Sequence, residues 1–282
     1  RSPELSTFAV LLAAGGGMIL MGGALVESLE RVLRAGLVLD RARIGQAWTD
    51  RWDSFCLVTP SALTLNLPGM PYDGDDPEGY LSRAGIVEYL QRYAAGAPVR
   101  QEVEVRSLER RTEGFRARTS QGEFSARRVV VATGAYQRPY RPPGAASLPP
   151  SLPALDLSDY RNPSVLPPGR VLVVGSGQSG CQIAEELHQA GRDIVLACGR
   201  APWLHRRIAG RDMFWWAVES GFLDQPVASL PGPQALLFAN VQGSGRDGGR
   251  DLHYRTLHDM GVTLAGHFDG AREGRIHFVD DL

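Results

Sequence analysis

The stretch from residue 171 to residue 200, V-L-V-V-G-S-G-Q-S-G-C-Q-I-A-E-E-L-H-Q-A-G-R-D-I-V-L-A-C-G-R, constrains the fold of this chain more than any other. Residues 171–174 are apolar and β-rich, a glycine turn follows, and a helical pattern leaves the turn. Gly175, Gly177 and Gly180 satisfy G-x-G-x-x-G in the strand–turn–helix setting that gives the spacing its meaning. The first glycine permits the tight turn, the second admits a pyrophosphate to the backbone, and the third lets helix and strand pack closely. The helix start offers free N–H groups and a positive dipole end to the phosphates, so Ser176, Gln178 and Ser179 join the glycines as candidate dinucleotide ligands. Ile183, Ala184, Leu187 and Ala190 form the apolar stripe of the helix, and Gly191 stops it. A second strand, residues 194–197, runs out at Cys198, Gly199 and Arg200. An acidic residue there would hold a ribose 2′-hydroxyl. The arginine suits a 2′-phosphate instead, and therefore NADPH.

With 282 residues, one large or two medium domains are expected. The net charge of −1 gives no reason to expect nucleic acid or an anionic membrane as partner. Cys56, Cys181 and Cys198 are too scattered for a disulfide scaffold or a zinc site, and without a C-x-x-C a dithiol reductase is not expected. A reducing cytoplasm is the simplest location. Residues 5–26 carry no charge and reach membrane-spanning length, but they hold five glycines and only Arg1 as a basic flank. A buried strand, glycine turn and helix start give the same hydropathy, so no membrane partner is expected.

The N-terminal half repeats the opening design. Residues 8–14 read as a strand, 24–35 as a helix, and 37–39 as a strand ending at Asp40, placed to bind a ribose. Gly15 and Gly17 are of the right type, although the third glycine position falls on Leu20. Trp48, Trp52 and Tyr72 read equally as walls of a flat pocket or as packing under a loop. Asp53 reads as a polar group near a reaction centre or as a turn residue. A helix is expected over residues 83–94, short strands over 99–105, 114–119 and 123–125, and an apolar strand over 128–134 that closes on Thr133 and Gly134. Residues 135–170 hold nine of the nineteen prolines and read as a connection between two lobes. Further on, Arg206 and Arg207 extend a basic patch or form a solvated run. Residues 212–221 and 250–260 read as helices, and 262–268 with 275–279 as a hairpin. His253 and His258, five apart, do not share a helical face, so no metal site is expected.

R-I-G-Q-A-W-x-x-R-W-D-S, L-P-G-M-P-Y, V-V-V-A-T-G-A-Y, Y-R-N-P and V-L-V-V-G-S-G-Q-S-G together resemble a flavin-containing monooxygenase of the bacterial kind, within the two-dinucleotide-domain flavoproteins. The resemblance implies an α/β fold of two Rossmann-like dinucleotide-binding domains: an FAD-type domain with a β-meander, then an inserted NADPH-type domain. Residues 1–138 would be the N-terminal piece of the FAD domain, 139–169 the proline-rich connection, and 170–282 the NADPH domain. The resemblance further implies NADPH reduction of FAD, molecular oxygen adding to give a flavin hydroperoxide, and oxygen transfer to a small-molecule substrate. By that likeness Gly15, Gly17 and Asp40 would meet FAD, and Trp48, Trp52 and Asp53 would lie near flavin and nicotinamide. Thr133 and Gly134 would sit at the domain junction. The family's F-x-G-x-x-x-H-x-x-x-Y pattern keeps Tyr160 but has Asp156 at the histidine position. Beyond Leu282 the family would return to the FAD domain with a second A-T-G-F-like strand, so by the resemblance the chain reads either as a fragment or as a protein that has lost ordinary monooxygenation.

Overall fold

The computed structural model describes residues 8–12, 36–134, 139–232, 234–235 and 242–282. Gly15, Gly17, Leu20 and the expected helix at 24–35 lie outside the described residues. The chain divides into two compact units, Arg1–Arg51 with Ser61–Arg138, and Trp52–Pro60 with Pro139–Leu282.

The first unit is organised on a parallel sheet of β1 (Phe8–Leu12), β2 (Gly36–Asp40), a short β5 (Val99–Arg100) and β9 (Val129–Ala132), in the order β5-β2-β1-β9. All five residues of β2 are buried, as befits a strand inside such a sheet. Helix α1 (Arg83–Ala94) begins where expected, because the Ser82 hydroxyl accepts the Gly85 N–H at 3.3 Å. It buries Ile86 and Tyr89. The Tyr89 hydroxyl accepts the N–H of Leu67 and donates to the carbonyl of Met70. This secures a two-stranded ribbon, β3 (Asn66–Leu67) with β4 (Met70–Pro71). An antiparallel meander of β6 (Val105–Arg111), β7 (Gly114–Thr119) and β8 (Gly122–Ala126) completes the unit. Its Phe124 and Val105 pack with Leu37, Leu39, Val103 and Val129.

The meander differs from what the residues suggest. The strand expected over residues 99–105 ends at Arg100, and the meander begins with a strand over residues 105–111, most of which had no strand expected. Arginines 111, 116 and 118 pair with Glu109 and Glu123 across the exposed face, which lets a charged segment lie in a sheet.

The second unit carries the expected βαβ: β10 (Val171–Val174), α2 (Gln178–Gln189) and β11 (Ile194–Ala197), continued by β14 (Thr263–Ala265) in a parallel sheet of order β10-β11-β14. Cys181, Ala184 and Leu187 on α2 meet Ile194, Leu196, Leu252, Leu257 and Val262 in one core. Trp52 and Tyr160 complete that core, although more than a hundred residues of sequence separate them. The expected hairpin is also displaced. Residues 263–265 join the parallel sheet, and β15 (Phe268–Arg272) pairs with β16 (Arg275–Phe278). A further ribbon joins β12 (Arg207–Ile208) and β13 (Arg211–Asp212), and leads into the aromatic helix α3 (Met213–Glu219). Helix α4 spans only Tyr254–Asp259, because His253 caps its start. Among the described residues no helix is long and apolar enough to cross a membrane, and no cluster of His, Cys, Asp or Glu could hold a metal.

Candidate functional site

The turn after β10 has the geometry its sequence demands. Gly175 sits at φ +105°, where a side chain would be strained. A Cβ at Gly180 would lie 1.8 Å from the carbonyl oxygen of Gly175, so only glycine lets α2 start this close to the turn. A Cβ at Gly177 would meet nothing within 4 Å. Packing of the protein therefore does not require glycine at 177, whereas an approaching anion would. Gly177 is also the N-cap of α2 and supplies no side-chain acceptor, so the first N–H groups, at Gln178, Ser179 and Gly180, keep their capacity for a ligand.

The loop leaving β11 is tied to this turn. The Ser176 hydroxyl, almost fully buried, accepts the N–H of Gly199 at 2.9 Å, which fixes the backbone directly before Arg200. Arg200 is exposed at the carboxyl end of the sheet, and its charge helps the His267 N–H and ring hold Asp281 below the usual carboxylate range. Arg206 does not extend this basic patch. It is 1% exposed, its Nε lies 2.8 Å from Asp212 Oδ2, and its guanidinium also donates to the Val58 carbonyl. A buried charge needs such partners, whereas Arg207 remains at the surface.

Two residues with no motif of their own complete the turn. Gln178 donates to the Gly243 carbonyl at 2.7 Å and accepts the Gly243 N–H at 3.0 Å. The amide of Gln242, 1% exposed, donates to the Ser176 carbonyl and accepts from the Cys181 thiol at 3.5 Å. Gln242 and Gly243 lie more than sixty positions from the turn, beyond two aromatic and proline-containing segments, so periodicity could not point to them.

In the first unit, strand register sets Asp40 and Ala132 opposite Leu12 on either side. Asp40, Thr133 and Gly134 therefore gather at the carboxyl edge of one parallel sheet, where α/β folds hold ligands. Burial pushes the Asp40 carboxyl upward, and its Oδ1 accepts the Ala42 N–H at 2.9 Å. Trp48 lies half-buried in this unit, in the single turn Gln46–Thr49.

Trp52 and Asp53 belong to the second unit. Trp52 is 2% exposed and meets Phe55 edge-to-face, with ring centroids 5.0 Å apart. Asp53 accepts from the Asn162 amide at 2.7 Å and donates its N–H to the Arg161 carbonyl at 2.8 Å. Beside it, Glu186 accepts from Ser54 at 2.6 Å and from the Tyr160 hydroxyl at 2.7 Å. R-W-D-S and Y-R-N-P are thus two halves of one interlock. Burial and the Glu186 carboxylate push the Tyr160 phenol well above its usual range, so it remains a donor.

The family model described as "Pyridine nucleotide-disulphide oxidoreductase" matches residues 15–210, more than two thirds of the chain. The chain belongs to this oxidoreductase family. A CzcO-like oxidoreductase of Geobacillus kaustophilus, itself uncharacterised, is 42% identical over 193 residues, covering 67% of this chain and 55% of that protein. Flavin-containing monooxygenase 3 of Macaca mulatta is 28% identical over 171 residues, covering 52% of this chain and 30% of its own length. Among solved structures, a doubly substituted flavin monooxygenase from Stenotrophomonas maltophilia superposes with a TM-score of 0.66 at 19% identity, covering 98% of this chain and 74% of that one. The oxidoreductase fold with two dinucleotide-binding domains follows from these likenesses. The chain spans about half the length of the first of these relatives. Despite the family's name, Cys56, Cys181 and Cys198 are free thiols. Burial pushes Cys181 up to about 12, which leaves little thiolate for disulfide exchange.

Proposed function

We propose that this chain carries the NADPH-binding part and the N-terminal FAD-binding part of a cytoplasmic monooxygenase that inserts one atom of molecular oxygen into a small organic substrate. The observation that carries the reading is the contrast between two glycines. Gly180 is required by the fold, whereas the space beside Gly177 is open and faces the start of a helix without a side-chain cap. That cradle fits a dinucleotide pyrophosphate. When bound, NADPH supplies hydride and FAD the redox chemistry with oxygen.

The residues then divide the work. Gly175, Ser176, Gly177, Gln178, Ser179 and Gly180 hold the pyrophosphate through backbone N–H groups, and Arg200 pairs with the 2′-phosphate. Asp40 meets the FAD ribose, Gly15 and Gly17 its phosphates, and Thr133 and Gly134 flank them at the sheet edge. Trp48, Trp52 and Asp53 shape the neighbourhood of flavin and nicotinamide, Trp52 and Asp53 from within the interlock with Tyr160 and Asn162. No side chain is assigned as general base. In this proposal residues 1–138 form the FAD-binding piece, 139–169 the connection and 170–282 the NADPH domain.

The deciding experiment is an absorbance spectrum of the purified chain before and after FAD, followed by titration with NADPH and NADH. Oxidised-flavin bands and preference for NADPH are expected. A colourless protein that binds NADPH would reduce the reading to a nucleotide-binding chain, and a protein that binds neither would overturn it.

A further inference from the structure

We propose that Gln178 and Gln242 are positioning residues that set the shape of the pyrophosphate turn from behind. The inference rests on the dinucleotide reading above and extends it to the Gln178 side chain and to Gln242, which lies outside the glycine motif. A glycine turn gains its freedom at a cost: without side chains to brace it, the backbone visits many conformations, and an anion must select the right one. Here the bracing comes from residues 242–243. Both hydrogen-bonding ends of the Gln178 amide are taken by the Gly243 backbone, at 2.7 and 3.0 Å, so this side chain acts as a strut and its backbone N–H is what it offers the phosphate. Gln242 grips the Ser176 carbonyl, and the Cys181 thiol closes the triangle by donating to that same carbonyl at 3.3 Å and to Gln242 at 3.5 Å. Ser176 is the residue between the two turn glycines, so its carbonyl sets the plane of the Gly177 peptide. Its hydroxyl holds the Gly199 N–H separately, at 2.9 Å, so the backbone beside Arg200 does not depend on the glutamine strut.

The effect on binding should be selective. A ligand with a pyrophosphate uses the turn, whereas adenosine 2′-monophosphate, which has only the 2′-phosphate, does not. The test compares NADP⁺ and adenosine 2′-monophosphate binding by calorimetry in the full chain and in Gln178→Ala and Gln242→Leu, with melting curves for each. In Gln178→Ala, whose side chain is only half-buried, the fold should persist while NADP⁺ binding weakens at least tenfold and adenosine 2′-monophosphate binding changes less than twofold. Gln242→Leu, which fills the same buried space without the hydrogen bonds, should show the same selectivity. Unchanged NADP⁺ affinity in a folded Gln178→Ala, or equal loss of both ligands, overturns the positioning role and leaves the dinucleotide reading standing. Failure of the unsubstituted chain to bind NADP⁺ overturns the dinucleotide reading itself.

Discussion

Two glycines only three positions apart, Gly177 and Gly180, should respond in opposite ways to one methyl group. At Gly180 the added Cβ meets backbone at 1.8 Å, so Gly180→Ala must push α2 off the turn. Overpacking of this kind costs roughly 1–3 kcal/mol, and a lowered melting temperature would register it. At Gly177 the Cβ enters open space and φ is −73°, which alanine adopts freely. Gly177→Ala should leave the melting temperature unchanged within error while weakening NADPH at least tenfold. Equal NADPH affinity would show that the open space is not where the phosphate lies. Arg200→Asp should shift preference from NADPH toward NADH, measured as the ratio of the two dissociation constants. The glycine spacing made this turn legible, because each position answers to a steric rule. Gln242 was not legible, since its role comes from a contact that only the folded chain creates.

At the scale of single elements, helix α4 depends on a histidine that must stay neutral. His253 caps the helix by accepting the Thr256 N–H at Nδ1, while Thr256 Oγ1 accepts the His253 N–H at 3.0 Å. Burial pushes the His253 pKa below its usual value. The Arg255 and His205 charges act the same way, and Asp251 and Asp259 oppose them. A depressed histidine means that the unfolded chain takes up a proton which the folded chain resists. The stability from this group is therefore complete above about pH 6.5, the ordinary histidine value, and declines as pH falls below it. His253→Asn keeps a good cap without a titrating ring, and should flatten the fall in melting temperature between pH 7.5 and 5.5 relative to the unsubstituted chain. An identical pH slope in both proteins would sink this account. A helix with apolar periodicity and a clear cap, such as α1, could be read to the residue, and the stripe and Gly191 stop of α2 were legible without a cap. The meander strand β6 could not, because it carries just two apolar side chains, Val105 and Leu108, among charged and polar ones, and finds its place only by pairing with β7.

For the molecule as a whole, the segment Trp52–Pro60 decides how the second unit is built. Its sequence position suggested the first piece of chain, but its largest side chain is buried among residues of β11, α2 and α4. No local pattern could reveal this, because the partners of Trp52 and Ser54 come from the far half of the sequence. Removing the indole with Trp52→Ala should cost about 3–5 kcal/mol, as for other large core aromatics. With two compact units, melting need not be a single transition, and the loss should fall on the transition of the second unit. Tyr160→Phe leaves Glu186 with one donor fewer and should destabilise the same transition by about 1–3 kcal/mol. A uniform shift of both transitions in either variant would mean that the units do not melt separately.

The interlock also sets the order of events during synthesis. Trp52 and Ser54 leave the ribosome long before Tyr160 and Glu186, and Arg246, which donates to Ser54, comes 192 residues after it. The first unit can complete its strands while this inserted loop still waits, apolar and unclaimed, for a core that has not been translated. A chain halted anywhere between those points would display an indole and a phenyl ring with only each other to pack on. Chaperone dependence of the nascent protein should therefore peak in that interval and fall once α4 has emerged.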